Sequence, residues 1–207
     1  MTVVSERPLR RDAEQNRAAL VTAAQVLLAR DPHASMDAIA RAAGLSRRAV
    51  YGHFADRDAL LGELVRSGAE RFNAIAATVS DEDPAPLALA RLTSRLWAEA
   101  AQVQMAAAIA LDDAHVAQTA AVLSPLRRRL VALVRAGQDA GTLRADITAP
   151  TLARLVEETG RMVVARLDAS SREARSLAVR TVLGVGGLSW RETDALLAAH
   201  PDLMTES

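Results

Sequence analysis

The sequence predicts an all-α fold, in which a three-helix N-terminal domain containing a helix-turn-helix is followed by a larger helical bundle. Three observations predict it. Apolar residues recur every three or four positions along almost all of the 207 residues. Aromatic residues make up only 2% of the composition, which disfavours a sheet. The chain contains no cysteine, and this excludes disulfides, thiolate metal sites and a cysteine nucleophile.

The elements of the first part follow from local signals. Ser35 and Ser46 are suited to cap two short helices, and Gly44 between them can adopt a positive φ where the first of these helices stops. Asp56 is suited to cap a longer helix. The predicted helices span residues 12–30, 35–44, 47–54 and 57–79. Such a tight pair of short helices is typical of a helix-turn-helix.

The second part reads as further helices after a loop at residues 80–86. A proline at position 125 predicts a kink or break. The helices are predicted at 87–101, 103–111, 116–140, 152–167, 172–187 and, starting at Ser189 or Thr193, up to 199. We therefore expect one domain at 1–56 and a second at 57–207.

The net charge of the chain is zero, which at first argues against a nucleic-acid partner. However, all 25 basic residues are arginines, and residues 1–54 carry eight of them against five acidic residues. A basic first part followed by an acidic remainder is a polarity that can orient a protein toward DNA. From the polar residues near the start of the sequence we expect no secretory signal, and the longest apolar run, 105–111, is too short to span a membrane. We expect a cytoplasmic protein without a membrane partner.

The strongest functional signal lies between Gly44 and Leu60. Arg47 and Arg48 follow Ser46 at the N-terminus of a helix that, in helix-turn-helix proteins, enters the major groove. The planar guanidinium matches O6 and N7 of guanine and also pairs with phosphate. Tyr51 shares their helix face, where its hydroxyl can donate to a phosphate oxygen. The alternative is a solvated helix face with no partner, which this spacing makes less plausible.

Further cations and helix starts offer phosphate contacts. Arg57 stands at the start of the long helix, and Ser35 stands at the start of the first short one. Arg10 and Arg11 belong to a basic N-terminal arm, predicted to be too short and polar to fold alone. Such an arm could lie along a groove or a backbone strand.

Four short stretches in the first 65 residues carry a further signal. They are S-M-D-A-I-A at 35–40, A-G-L-S at 43–46, Y-G-H-F at 51–54 and R-D-A-L at 57–60. Here the chain resembles the TetR family of bacterial transcriptional regulators, whose members share T-x-x-x-I-A, A-G-V-S, Y-x-H-F and a basic–acidic–x–leucine run. The resemblance implies DNA-backbone contacts by Ser35, Ser46, Tyr51, His53 and Arg57.

The resemblance also implies a function for the whole chain. It implies a homodimeric regulator, most often a repressor, that binds a palindromic double-stranded DNA operator and is released by a small-molecule effector. Arg48, Ala49 and Gly52 depart from the family's usual residues, so we expect base readout to rest on Arg47 and Arg48.

By the same resemblance, the second part is the ligand-binding and dimerisation domain. A small-molecule pocket needs apolar lining and a few polar groups. The candidates are Phe72, Trp97, Met105, His115, Glu158 and Met162. The alternative is that the apolar residues are ordinary core and the charged ones a solvated surface. We expect no cofactor and no metal, because the pair Asp112 and His115 has no second motif to complete a metal site.

The apolar stripe of 152–167 and the small-residue-rich helix at 172–187 are candidates for an isologous four-helix interface in a homodimer. The alternative is that both belong to an internal core. Two other functions remain open: a helical-bundle enzyme, and a DNA-binding regulator without an effector. The first would show turnover that depends on His115 or Glu158, although the chain lacks the P-loop, G-x-S-x-G and H-E-x-x-H motifs. In the second, no small molecule would change DNA binding.

Overall fold

The computed structural model describes residues 6–31, 33–102, 121–167 and 172–204. All regular structure within these ranges is helical, which confirms the predicted all-α fold. Contacts between residues divide the chain into two compact units, Met1–Ser67 and Gly68–Ser207. The division falls inside the fourth helix, whereas the sequence places a boundary at its start. No helix among these residues is long and apolar enough to cross a membrane.

The first unit is a small three-helix domain followed by the beginning of a long helix. Its elements are α1 (Glu6–Arg30), α2 (Met36–Ala42), α3 (Arg47–His53) and the first part of α4 (Arg57–Ala77). Apolar side chains four residues apart on α1 are fully buried, as expected for one face of an amphipathic helix. The core of this unit includes Leu20, Ala24, Leu28, Ile39, Val50, Phe54, Leu60 and Leu64.

The N-terminal arm differs from the prediction. Arg10 and Arg11 lie inside α1, which begins at Glu6, so an irregular arm is wrong for residues 6–11. Pro8 lies within the first turn, where backbone N–H groups have no helical partner and a proline therefore removes no hydrogen bond. The residues that follow are mostly good helix formers, and they continue the helix without a break.

The second unit is a bundle of longer helices. It contains the end of α4, then α5 (Ala85–Gln102), α6 (Ser124–Asp139), α7 (Ala149–Arg166), α8 (Arg172–Val185), α9 (Trp190–Ala199) and a short 3-10 helix at Pro201–Met204. The helix α5 packs mainly against α8, and α6 packs mainly against α7. The largest fully buried side chains of the bundle are Leu89, Leu92, Val134, Leu152, Val179 and Leu183.

Helix starts in the second unit follow the local signals closely. Ser189 rather than Thr193 begins α9, because its side chain and that of Glu192 form a reciprocal capping box. Thr193 is instead buried inside the helix. The break at Ser124–Pro125 is confirmed as the start of α6, where the proline occupies the first turn. The predicted helix at 103–111 and the first part of that at 116–140 lie outside the described residues.

Candidate nucleic-acid interface

A tight turn joins α2 to α3. The Ser35 hydroxyl oxygen accepts a hydrogen bond from the Ala38 N–H at 3.2 Å, and the Ser46 oxygen accepts one from the Ala49 N–H at 3.2 Å. Both serines are therefore the helix caps that the sequence predicts. Gly44 adopts a φ of +69°, which reverses the chain within a few residues. The Leu45 N–H returns to the Ala40 carbonyl at 2.9 Å and closes the turn.

One face of α3 is buried and the opposite face is open. Val50 is 1% exposed and packs in the core of the first unit, whereas Ser46, Arg47, Arg48 and Tyr51 are all exposed. Arg48 makes no hydrogen bond or ion pair with any other described residue. This face therefore presents two guanidiniums, a phenol and a hydroxyl at the end of a short helix. Such a set can contact phosphates and base edges together.

Arg47 has two partners within the first unit. Its Nη1 lies 3.0 Å from Oδ2 of Asp37, in the first turn of α2. Its guanidinium carbon lies 5.5 Å from the centre of the Tyr51 ring, in a cation–π arrangement. The ion pair holds the two helices together at their exposed side and offsets part of the charge that Arg47 offers to DNA.

Arg17 of α1 fixes the other end of α3. Its Nη1 donates to the His53 carbonyl at 3.2 Å, and its guanidinium carbon lies 4.5 Å from the centre of the Phe54 ring. Its Nη2 also pairs with Glu63 Oε2 at 3.0 Å. Hydrogen bonds, first from Arg66 and then from Arg17, lower the pKa of Glu63 despite the opposing effect of burial. Sequence reasoning missed Arg17, because its partners lie far away in the chain.

The remaining predicted contacts fall in different places. The Arg57 guanidinium donates to the Ala34 carbonyl and ties the start of α4 to the segment before α2. His53 is half-buried at the end of α3. Arg10 and Arg11 lie within α1, and the structure describes only their backbone. The structure thus brings Ser46, Arg47, Arg48 and Tyr51 together most closely.

The residues predicted to line a ligand pocket do not form one group. Trp97 is buried in a small cluster with Val163, Ala174 and Ala178. Phe72 is partly buried against the main core of the second unit. Met162 is 50% exposed and Glu158 is also exposed, so both lie on the surface rather than in the interior. Met105 and His115, like Asp112, lie outside the described residues.

The apolar stripe of α7 divides between two faces. Leu152, Val156 and Val163 are buried in the bundle, whereas Leu155 and Met162 are about half exposed. On α8, Leu177 is exposed to a similar degree, and Gly184 is exposed one heptad later. The apolar stripe is wider than the buried face of α7. Its buried residues belong to the internal core, and its exposed residues stay candidates for the interface. We call the exposed set of Leu155, Met162 and Leu177 the α7–α8 apolar surface.

Comparison with known proteins bears on the first unit most directly. The sequence pattern described as "Bacterial regulatory proteins, tetR family" matches residues 19–64, which include α2, the turn and α3. Residues 19–64 are a DNA-binding domain of the TetR family. The resemblance stated from four short motifs is therefore confirmed, and the exposed face of α3 is the face of a family helix-turn-helix. No curated protein sequence matches the chain significantly.

Several solved structures share the fold along most of this chain. FadR from Bacillus halodurans, a fatty acid degradation regulator, is 19% identical over 84% of this chain and 96% of its own, with a TM-score of 0.69. FadR from Bacillus subtilis in complex with stearoyl-CoA is 14% identical over 83% and 99%, with a TM-score of 0.67. RolR in complex with resorcinol is 15% identical over 90% and 95%, with a TM-score of 0.64. At these identities the likeness concerns the fold.

Proposed function

We propose that this TetR-family regulator is a homodimeric repressor that binds a palindromic operator and leaves it when a small molecule binds the second unit. The observation that carries the proposal is the exposed face of α3, with Arg47, Arg48 and Tyr51 beside the capping Ser46. A helix that buries Val50 and exposes these four side chains can place them in the major groove without unfolding any part of the first unit.

The four side chains have different roles in the proposal. Arg48, which has no partner among the described residues, reads a guanine edge. Arg47 contributes charge that it shares with Asp37, and Tyr51 donates to a phosphate. Ser46, at the start of α3, contacts the DNA backbone, and so do Ser35, His53 and Arg57 at other helix ends. Arg10 and Arg11 contact the DNA backbone from the first turns of α1.

The α7–α8 apolar surface is the proposed dimer interface. Large apolar side chains half exposed on two adjacent helices form a surface that a second copy can cover by a two-fold operation. Gly184 supports this interface, because a Cβ built there would meet nothing within 4 Å in the protomer. The helix α8 is therefore uncovered at this position and leaves room for a second copy. A two-fold dimer places two copies of α3 about 34 Å apart, or at a multiple of that spacing, on one side of the duplex.

The effector proposed is an apolar organic molecule. Resorcinol and stearoyl-CoA, which bind to two structural neighbours, both have an apolar part that needs burial. Phe72 and Trp97 remain candidates for lining such a pocket in the second unit, together with Met105 and His115. Met162 is assigned instead to the proposed interface, and Glu158 to the exposed surface of the same helix. A repressor acts on the chromosome, so we expect the protein in the cytoplasm.

Selection of bound fragments from random double-stranded DNA tests this function. The proposal expects one enriched sequence with two inverted half-sites, whose centres lie a whole number of helical turns apart. Enrichment of a single asymmetric site would contradict the dimer, and no enrichment at all would contradict the operator. The enriched fragment then serves to screen small molecules for release of the protein.

A further inference from the structure

The start of α6 is capped in an unusual way. Ser35, Ser46, Thr148 and Ser189 each cap their own helix with a side-chain oxygen. The residue before α6 is Leu123, which has no side-chain oxygen to offer. The backbone donors of a first helical turn have no partner within the helix. The start of α6 therefore depends on a partner from elsewhere.

Asn73 of α4 is that partner. Its Oδ1 accepts a hydrogen bond from the Leu126 N–H at 3.1 Å, and its Nδ2 donates to the Val122 carbonyl at 2.8 Å. In an unbroken α-helix, these two backbone groups would bond to each other, since they are four residues apart. The carboxamide of Asn73 therefore occupies the place of one helical hydrogen bond.

Pro125 explains why this place is open. Residues 121 and 122 are helical, and α6 begins at Ser124, so two helical stretches meet here with a single turn residue between them. Pro125 has no N–H to donate, and its ring crowds the carbonyl four residues earlier. A side chain that inserts into the hydrogen-bond ladder is a recognised cause of a helix kink. We call this insertion the Asn73 clamp.

The helix that carries the clamp also belongs to the DNA-binding unit. α4 is one continuous helix from Arg57 to Ala77, so its first residues lie in the first unit and Asn73 lies in the second. An ion pair between Arg71 and Glu99 also attaches this end of α4 to α5. Any rearrangement of residues 121–126 must either carry Asn73 with it or break both of its hydrogen bonds.

We propose that Asn73 is a positioning residue that couples α4 to the helix break before α6, so that the state of the clamp sets the affinity for DNA. This inference rests on the proposed DNA-binding function. The clamp has two discrete arrangements: the carboxamide is inserted between Val122 and Leu126, or it is expelled and no longer bonds to either group. When it is expelled, α4 loses this attachment and its end becomes freer, which weakens DNA binding.

Two substitutions in the full-length protein open the clamp by opposite means. Asn73→Leu removes both hydrogen bonds while keeping a side chain of similar size. Pro125→Ala restores an N–H at position 125 and lets the helix close, which expels Asn73 and favours the helix itself. We expect the Leu126 amide to exchange its hydrogen at least tenfold faster in Asn73→Leu. We expect both variants to bind the selected operator at least threefold more weakly than wild type.

Ser94→Ala is the matched control. It removes another side-chain hydrogen bond of the second unit, from the buried Ser94 hydroxyl to the Leu203 carbonyl at 2.5 Å. It should lower stability without changing DNA affinity by more than threefold. A weakened Pro125→Ala variant that is as stable as wild type would show that the effect does not come from unfolding.

The inference is overturned if Asn73→Leu and Pro125→Ala bind DNA within threefold of wild type or more tightly, if Ser94→Ala weakens binding as much as they do, or if the Leu126 amide stays protected in Asn73→Leu. In each of these cases wild-type DNA binding, and with it the proposed function, still stands. If the wild-type protein selects no DNA sequence, the proposed function and the coupling fail together.

Discussion

Arg17 and Glu63 form an ion pair that joins α1 to α4, with Nη2 and Oε2 separated by 3.0 Å. The same guanidinium donates to the His53 carbonyl at the end of α3 and lies over the Phe54 ring. One side chain of α1 thus contacts two other helices of the DNA-binding unit. Its effect on function is indirect, since it orients α3 and leaves the exposed face of that helix free.

Replacing Arg17 should destabilise the first unit. Arg17→Met keeps most of the aliphatic packing but removes the hydrogen bond, the ion pair and the cation–π contact. Because the side chain is partly exposed, we expect a loss of about 1 to 2 kcal/mol in the free energy of unfolding. Hydrogen exchange of peptides from the first unit, in the full-length protein, measures it. Arg30→Met, in the exposed last turn of the same helix, is the control, and equal losses in the two variants would contradict the role of Arg17.

The stability of the first unit should fall at acid pH in a way that depends on Glu63. Its pKa in the folded protein lies below the ordinary value of 4.5, mainly because of Arg66 and then Arg17. The stabilisation by this carboxylate is therefore complete above the unfolded pKa and is lost as the pH falls through the folded pKa. Between about pH 6 and pH 3, wild type should lose more stability than Glu63→Gln. The loss of stability in Arg66→Met should lie between those of wild type and Glu63→Gln. Identical pH profiles of all three proteins would contradict the lowered pKa of Glu63.

Removing Asp37 should strengthen DNA binding. Asp37→Asn frees the guanidinium of Arg47 from its ion pair and removes a negative charge near the phosphates. Exposed ion pairs contribute little, so we expect binding about two- to fivefold tighter, with a steeper salt dependence. Fluorescence anisotropy at several salt concentrations measures both. The cost of Arg47→Ala should also be larger in the Asp37→Asn background, and unchanged or weaker binding by Asp37→Asn would count against a DNA contact by Arg47.

Two glycines of the helix-turn-helix should respond to alanine in opposite directions. Gly44 has a φ of +69°, so Gly44→Ala should cost about 1 to 2 kcal/mol, although a Cβ there would meet nothing within 4 Å. Gly52 lies within the helix α3 and also has open space, so Gly52→Ala should stabilise by about 0.5 to 1 kcal/mol. Hydrogen exchange of peptides from the first unit, measured at increasing temperature, compares the stability of the two variants with that of wild type. A stabilising Gly44→Ala would contradict the turn geometry.

The comparison of sequence and structure shows which features local patterns can predict. The caps at Ser35, Ser46 and Ser189, like the glycine turn at Gly44, depend on residues within a few positions of each other, and all were predicted. The Arg17–His53 contact and the Asn73 clamp join residues 36 and about 50 positions apart. No periodicity indicates such partners, because the three-dimensional packing of the helices decides them.

The ligand and dimer residues show a second limit. The periodicity of α7 predicts an apolar stripe, but it does not say that Leu152 and Val156 face the bundle while Leu155 and Met162 face outward. The width of the buried face depends on how closely α5, α6 and α8 pack around α7. The sequence is compatible with Trp97 either as pocket lining or as core, and in the structure Trp97 lies in a buried cluster.

The most direct test of the account measures the affinity of Arg48→Ala for the selected operator and for unrelated DNA of equal length. Arg128→Ala is the control, because Arg128 is an exposed arginine on α6 and its loss changes the net charge equally. If α3 reads the operator through Arg48, Arg48→Ala costs about 1 to 3 kcal/mol on the operator and much less on unrelated DNA, while Arg128→Ala changes neither. Equal, small losses for both variants on both DNAs would contradict the central claim that this face of α3 recognises DNA.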